Sequence, residues 1–371
     1  MVLGLLPSIR SGLGELAKTG QHSRLIDGYL RPYARAFDEV RYFSYVRESL
    51  DQYAADQELL ARAHVFPGAG WHPWLYSFVM PFRYAAQFRT CSVFRVFQVL
   101  GALPAVIAKR RFGIPFVTTY GFWYSKLARS STTGALRRIV EGIGLRAADA
   151  VIVTTPELRA YVSARVGATK VHLIPNGVDT ARFAPAPRAP RAQRRVLYVG
   201  RLAEEKDLGT LVEATAKLLG RFDVALTLVG QGPLRADLEA RARERGVPVH
   251  FVPVVDHREL PRYFAEADAF VLPSRTEGHP KVLLEAMSAG VPCVASDVEG
   301  NRGVLGEGET GLLFDPRDAG ALAARLERLF TDGDLARAIG ARARARVLKR
   351  YDLSHLVQEE IALLQRVATA R

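Results

Sequence analysis

The apolar positions of the chain fall into short runs separated by stretches with helical spacing, and the alternation continues from end to end. VLGLLPS (2–8), VRYFSY (40–45), VFRVFQVL (93–100), IPFVTTYG (114–121), ADAVIVTTPE (148–157) and the start of VHLIPNGVDTARF (171–183) read as strands, with helical patterns between them. A second series follows with RVLYVG (195–200), ALTLVG (225–230), VHFVPVV (249–255), AFVLPS (269–274) and the stretch around Cys293. Near-continuous apolar strands alternating with helices predict parallel, doubly wound sheets of the α/β class. Ala184–Arg195 interrupts the pattern, because three prolines in seven residues disfavour both helix and central strand. The expected division is therefore a domain over 1–189 and a second over 190–351, with a break at Tyr351–Asp352 before a last helix over 352–371.

The most informative stretch is VLPSRTEGHPKVLLEAMSAGVPCVAS (271–296), which reads as one β-α-β unit. Pro280 suits the start of a helix, since its missing N–H would have had no intrahelical partner. The first amides, those of Lys281, Val282 and Leu283, then face the loop Thr276-Glu277-Gly278-His279, and a helix start with unpaired N–H groups favours an anion such as phosphate. Glu277 lies just outside that end and Glu285 eight residues on, inside the helix. Two carboxylates cannot hold the phosphate, but they can accept hydrogen bonds from hydroxyls on either side of it. A diphosphate flanked by hydroxyls is a nucleotide sugar. Arg201 and Lys206, in the turn after a strand, are either a solvated surface or a clamp for phosphate oxygens. The loop Arg10–Glu15, with Gly12 and Gly14 after the first strand, is either a plain turn or a place for backbone to approach a ligand. Trp74, Phe78 and Phe82 recur at helical spacing and suit either a core helix or an acceptor-facing or membrane-facing surface.

Charge changes this picture in the first half only. Residues 1–189 hold 24 Lys and Arg against 12 Asp and Glu, and 190–371 hold 27 against 26, so the overall +13 is almost entirely N-terminal. Residues 60–146 contain 12 basic residues, including Arg83, Arg89, Arg95, Lys109, Arg110, Arg111, Lys126, Arg129, Arg137 and Arg138, with Glu141 as the one acid and all three tryptophans. Such a window implies a polyanionic partner: nucleic acid, anionic lipid or a phosphorylated substrate. No run approaches the length of a membrane span, and no basic segment precedes the short apolar start, so a cytoplasmic protein is expected. Cys91 and Cys293 are far apart in apolar surroundings and are expected to be buried thiols.

Several of these segments resemble a known family. GRLAEEKDLGTLVEA, LVGQGPLRADLE, EGHPKVLLEAMSAGVPCVAS and ETGLLFDP resemble, in order and spacing, the second domain of retaining GT-B glycosyltransferases of the glycosyltransferase 4 type. VHLIPNGVDTARF and ADAVIVTTPE resemble the end of that family's first domain. The resemblance is strong over about 148–350 and weaker before it. It implies two doubly wound, Rossmann-like domains facing across a cleft, the second holding the nucleotide and the first mainly the acceptor, with the last helix crossing back to the first. It implies that Glu285 binds ribose hydroxyls and Glu277 the donor sugar, and that Arg201 and Lys206 hold the diphosphate with the amides of Val282 and Leu283. Gly12–Gly14 would close on the diphosphate, and Gly230, Val254 and His279 would shape the pocket for base and sugar. Relatives commonly carry a His where this chain has Tyr120, so that contact differs or comes from elsewhere; His64, His72 and His279 are the substitutes.

No Asp-x-Asp at a strand end suggests a metal, and the cationic clamp can stabilise a departing phosphate without a metal or cofactor. The expected activity is a retaining transfer from a nucleotide diphosphate sugar, a uridine one favoured over guanosine diphosphate mannose, to a lipid-linked or membrane-associated glycan acceptor in envelope or polysaccharide synthesis. The basic window would then meet an anionic membrane surface. Two alternatives stand beside this: a nucleotide-sugar epimerase of the same fold, and a nucleic-acid binder stacking bases on Trp71 or Trp74. No segment resembles a nucleic-acid module.

Overall fold

The structure, a computed structural model, describes residues 1–122, 132–187 and 191–370. Lys126 and Arg129 of the basic window and the expected boundary at 189/190 lie outside these residues.

The chain folds into two compact units, Met1–Pro175 together with the chain from His355 onward, and Asn176–Ser354. The first is built on a parallel sheet of seven strands: β1 (Val2–Leu6), β2 (Glu39–Phe43), β3 (Ala63–Phe66), β4 (Val93–Val96), β5 (Phe116–Tyr120), β6 (Ala150–Val153) and β7 (Val171–Leu173). The second carries six: β8 (Arg194–Val199), β9 (Val224–Val229), β10 (Val249–Val252), β11 (Ala269–Leu272), β12 (Cys293–Ser296) and β13 (Leu312–Phe314). The spatial orders are β3-β2-β1-β4-β5-β6-β7 and β10-β9-β8-β11-β12-β13. Each unit starts at its sheet centre, winds outward on one side and then jumps to the other, which is the doubly wound Rossmann-like topology. Strands such as AVIV and AFVL are buried along their whole length, as a sheet covered on both faces requires.

The units divide ahead of the proline-rich segment because residues 176–183 are already tied into the second unit. Val178 donates to Tyr351 O at 2.9 Å and accepts from Leu353 N at 2.9 Å. Phe183, fully buried, accepts from Ser288 Oγ at 2.8 Å. Backbone pairing of this kind leaves no sign in composition. Two short edge strands, β3 and β13, also carry no period-2 signal of their own. Three helices follow β13, Ala319–Thr331, Gly333–Arg350 and Leu353–Thr369; Asp332 stops the first and caps the second by accepting from Leu335 N at 2.8 Å. Cys91 and Cys293 are buried and form no disulfide.

The last helix is anchored in the first unit by an ion pair with almost no access to water. Arg95 on β4 donates to Glu360 through Nε at 2.6 Å and Nη2 at 3.2 Å, and Tyr33 donates its hydroxyl to the same carboxylate. Both charged residues are under 5% exposed, so Arg95 is a structural cation and adds nothing to the basic surface. Removing one partner strands the other charge in the interior. Glu360→Ala should lower the stability of the first unit by about 3–5 kcal/mol; urea unfolding followed by circular dichroism would read it, and a loss below about 1 kcal/mol would contradict the account.

Candidate active site

All strands of the second unit are parallel and end on one edge, and the loops leaving β8, β9, β10 and β11 bring together the residues singled out from its sequence. β8 pairs directly with β11, Val196 opposite Ala269, so the loops after these two strands flank the point where the winding reverses. Ligands bind at such points in open α/β sheets. Arg201 follows β8, Lys206 ends the short turn Glu204–Lys206, Gly230 follows β9, Val254 follows β10, and Glu277, Gly278 and His279 follow β11.

The helix after β11 runs Lys281–Ser288. Pro280 precedes it in extended backbone (φ −72°, ψ 111°), and no side chain caps it. The amides of Val282 and Leu283 have no acceptor within the helix, so this end attracts negative charge. The loop in front is packed against backbone: a Cβ on Gly300, in the first turn of the helix Glu299–Leu305, would stand 2.4 Å from the carbonyl oxygens of both Glu277 and Gly278. Asn176 adds a side-chain hydrogen bond to His279 O at 2.8 Å.

Lys206 and Glu277 form an ion pair at 2.5 Å, with side chains 20% and 12% exposed. The cation expected at the phosphate and the carboxylate expected at the sugar are therefore in contact. Arg275, which the sequence reading passed over, fixes this meeting. Its amide donates to Glu205 O at 2.8 Å, and its guanidinium reaches Glu204 at 2.9 Å and Asp207 at 3.1 Å. Arg201 has an open side chain and pairs with Glu205. The backbone between β8 and β9 is equally close: Gly230 has φ +137°, and a Cβ there would lie 2.1 Å from Gly200 O.

Glu285 is 2% exposed, and its Oε1 lies 2.9 Å from Nε2 of His257, itself 3% exposed. His257 was not anticipated, because a His after a strand in a polar turn has no distinguishing spacing. His279 packs edge-on against Tyr351, ring centroids 5.3 Å apart. Burial, and next the charge on Lys281, pull its imidazole down to about 4, so the ring is neutral near pH 7.

In the first unit two expectations meet a different arrangement. The amides of Leu13 and Gly14 donate to Glu48 at 2.9 and 2.7 Å, and Ser44 Oγ donates to the same carboxylate at 2.5 Å. The loop of Gly12 and Gly14 thus already holds an anion, supplied by the chain itself. Tyr120 is fully buried, stacked on Tyr161 at 5.7 Å, with its hydroxyl donating to Glu141 at 3.1 Å. Burial and then the Glu141 charge push its phenol well above the usual range. Tyr120 is thus packed in the core of the first unit, which the strand-end position alone did not reveal. His64 and His72 are exposed, on β3 and just before the helix Pro73–Arg83.

Comparison with known proteins bears on the family and the fold. Residues 179–346 match the family described as Glycosyl transferases group 1, and residues 24–182 match Glycosyltransferase Family 4. Glycogen synthase of Mycobacterium tuberculosis is 32% identical over 262 residues, 68% of this chain and 63% of that protein. Phosphatidyl-myo-inositol mannosyltransferase of Mycolicibacterium smegmatis is 37% identical over 203 residues, 53% of this chain and 52% of its own length. The match spans less than two thirds of either relative. Among solved structures, sucrose-phosphate synthase from Thermosynechococcus elongatus superposes over the whole of both chains with a TM-score of 0.82 at 25% identity. Two family matches that adjoin near residue 180 and together run from 24 to 346, on two doubly wound units, mean that the chain belongs to the group 1 glycosyl transferases of glycosyltransferase family 4.

Proposed function

We propose that the protein moves a sugar, with retention at the anomeric carbon, from a nucleoside diphosphate sugar to a hydroxyl of a lipid-linked or membrane-associated glycan, on the cytoplasmic face of the membrane, in cell-envelope or polysaccharide synthesis. The observation that carries this reading is the ion pair between Lys206, in the turn after β8, and Glu277, in the loop before an uncapped helix start, at the reversal point of the second sheet. The diphosphate sits on the amides of Val282 and Leu283, with Arg201 and Lys206 on its oxygens. Glu277 accepts from hydroxyls of the donor sugar and Glu285 from the ribose. A uridine base is favoured over guanosine, and Val254 and His279 line the space that selects it. The first unit receives the acceptor.

As the bond from the anomeric carbon to the diphosphate lengthens, negative charge grows on the β-phosphate. Cations and amides already in place interact more strongly with that charge than with the ground state, and this difference lowers the barrier. Glu277 is engaged by Lys206 and Glu285 by His257, which leaves neither suited to attack the anomeric carbon. Front-face transfer follows, with the acceptor proton passing to the departing phosphate. His279, neutral at working pH, contributes a hydrogen bond and no charge.

Three outcomes test the reading. Arg201→Ala and Lys206→Ala should each raise the barrier by roughly 2–4 kcal/mol, seen in kcat with donor and acceptor saturating; and because Lys206 touches Glu277, the Lys206→Ala, Glu277→Ala double variant should lose less than the sum of the singles. Turnover within a few-fold of wild type for either cation variant would remove the clamp. A panel of nucleotides in a thermal-shift assay should show stabilisation by diphosphates, about 2.7 kcal/mol for one at a hundred times its dissociation constant, and a flat panel would remove the donor site. The folded His279 binds its proton only near pH 4, against about 6.5 in the unfolded chain, so the second unit should lose stability as pH falls from about 6.5 towards 4. His279→Phe should flatten that decline, and an unchanged slope in calorimetry would contradict it.

A further inference from the structure

Six of the nine exposed large hydrophobic residues among those described lie in two places: Trp71, Leu75, Phe78 and Phe82 on and just before the helix Pro73–Arg83, and Ile139 and Ile143 on the helix Thr132–Ala147. The first four follow one another at intervals of four, three and four residues, so they form a single stripe, each more than half exposed. The helix Leu103–Phe112 packs beside both of these helices and joins them into one layer. Arginines are interleaved with the apolar residues. Arg111 sits 5.3 Å from the Phe82 ring and Arg89 5.3 Å from that of Phe112. On that helix Arg137, Arg138 and Arg146 are exposed too, and Arg146, seven residues after Ile139 and three after Ile143, shares their face. No Asp or Glu occurs between Glu58 and Glu141.

The start of the stripe opens onto a cavity of about 660 Å³ lined by Arg47, Arg83, Trp71, Gln52 and Gly68. Its wall is built from fixed backbone: Tyr76 and Tyr84 both donate to Pro67 O, at 3.2 and 2.7 Å, and Arg47 Nη2 donates to Ala69 O at 3.1 Å. Glu48 also lines it, but that carboxylate is occupied by the amides of Leu13 and Gly14. Two guanidiniums against one carboxylate leave the cavity net positive beside an aromatic platform.

We propose that this layer lies flat on an anionic phospholipid bilayer, with the Trp71–Phe82 stripe and the two isoleucines entering the acyl boundary and a lipid phosphate seated between Arg47 and Arg83. The chemistry fits that occupant: exposed apolar side chains interleaved with cations, the one acid on these helices, Glu141, being buried, beside a cavity that pairs net positive charge with an aromatic face. The proposal rests on the membrane-side acceptor proposed above and names the surface and the lipid chemistry that would deliver it.

Flotation of the full chain with phosphatidylglycerol-containing vesicles and with pure phosphatidylcholine vesicles tests it, alongside the nucleotide thermal shift on the same preparations. Wild type should float with the anionic vesicles and hardly at all with the neutral ones. Phe78→Ser with Phe82→Ser, two exposed positions, should cut partition by about tenfold or more, and Arg47→Gln with Arg83→Gln should do so on anionic vesicles, with nucleotide stabilisation unchanged in both. Equal flotation on the two vesicle types, or wild-type flotation by the serine variant, would overturn the proposal. So would an oligonucleotide held as tightly as the anionic vesicles and lost in the same variants. Nucleotide stabilisation without flotation removes the docking surface alone; flotation without nucleotide stabilisation removes the donor site and leaves the surface standing.

Discussion

The candidate site of the second unit depends on how closely Gly300 approaches the carbonyls of Glu277 and Gly278. Because no side chain intervenes, the loop after β11 lies directly on the first turn of the next helix. Its carbonyls are held by packing there, and the hydrogen bond from Asn176 to His279 O holds its far side. A loop fixed at both sides presents Glu277 at one height above the start of the helix Lys281–Ser288. Arg275 holds the neighbouring turn, from which Lys206 meets it, through Glu204, Glu205 and Asp207. Preorganisation here is a matter of backbone contact first and of charge second.

Carboxylates inside this protein do two kinds of work. Glu360 and Glu48 hold chain segments together: the first fastens the last helix to β4, the second satisfies the amides of the loop after β1. Glu285, just as deeply buried, differs in having a titratable partner, His257, across from it. The Glu277–Lys206 pair alone among these keeps partial access to water, so its partners can be exchanged without unpacking the interior.

The fold was legible because buried parallel strands are written as unbroken apolar runs, and the two series of such runs differ in charge as well as position. In the candidate site, the uncapped helix start behind Pro280 was legible because helix-start chemistry follows from local sequence, whereas the meeting of Lys206 with Glu277 was not. His257, Arg275, Asn176 and Glu48 were not, since each acts on a residue distant in the chain and its own neighbours say nothing of the partner. Tyr120 misled for the same reason in reverse: the end of a strand suggests a mouth, yet Tyr161 and Glu141 close over the ring from other elements. The aromatic stretch after Gly70 could be read as core or as surface, and only the packing of its helix decided that Phe78 and Phe82 point to solvent.

The abutting glycines at the ends of β8 and β9 carry one more implication. A Cβ on Gly230 would strike Gly200 O at 2.1 Å, and one on Gly232 would strike Leu202 O at 2.2 Å. Both neighbours are main chain and cannot swing aside, so this wall admits no variation. Change at this edge of the sheet is consequently left to the β10 side, where Val254 is only half-buried and a different side chain leaves the backbone where it stands.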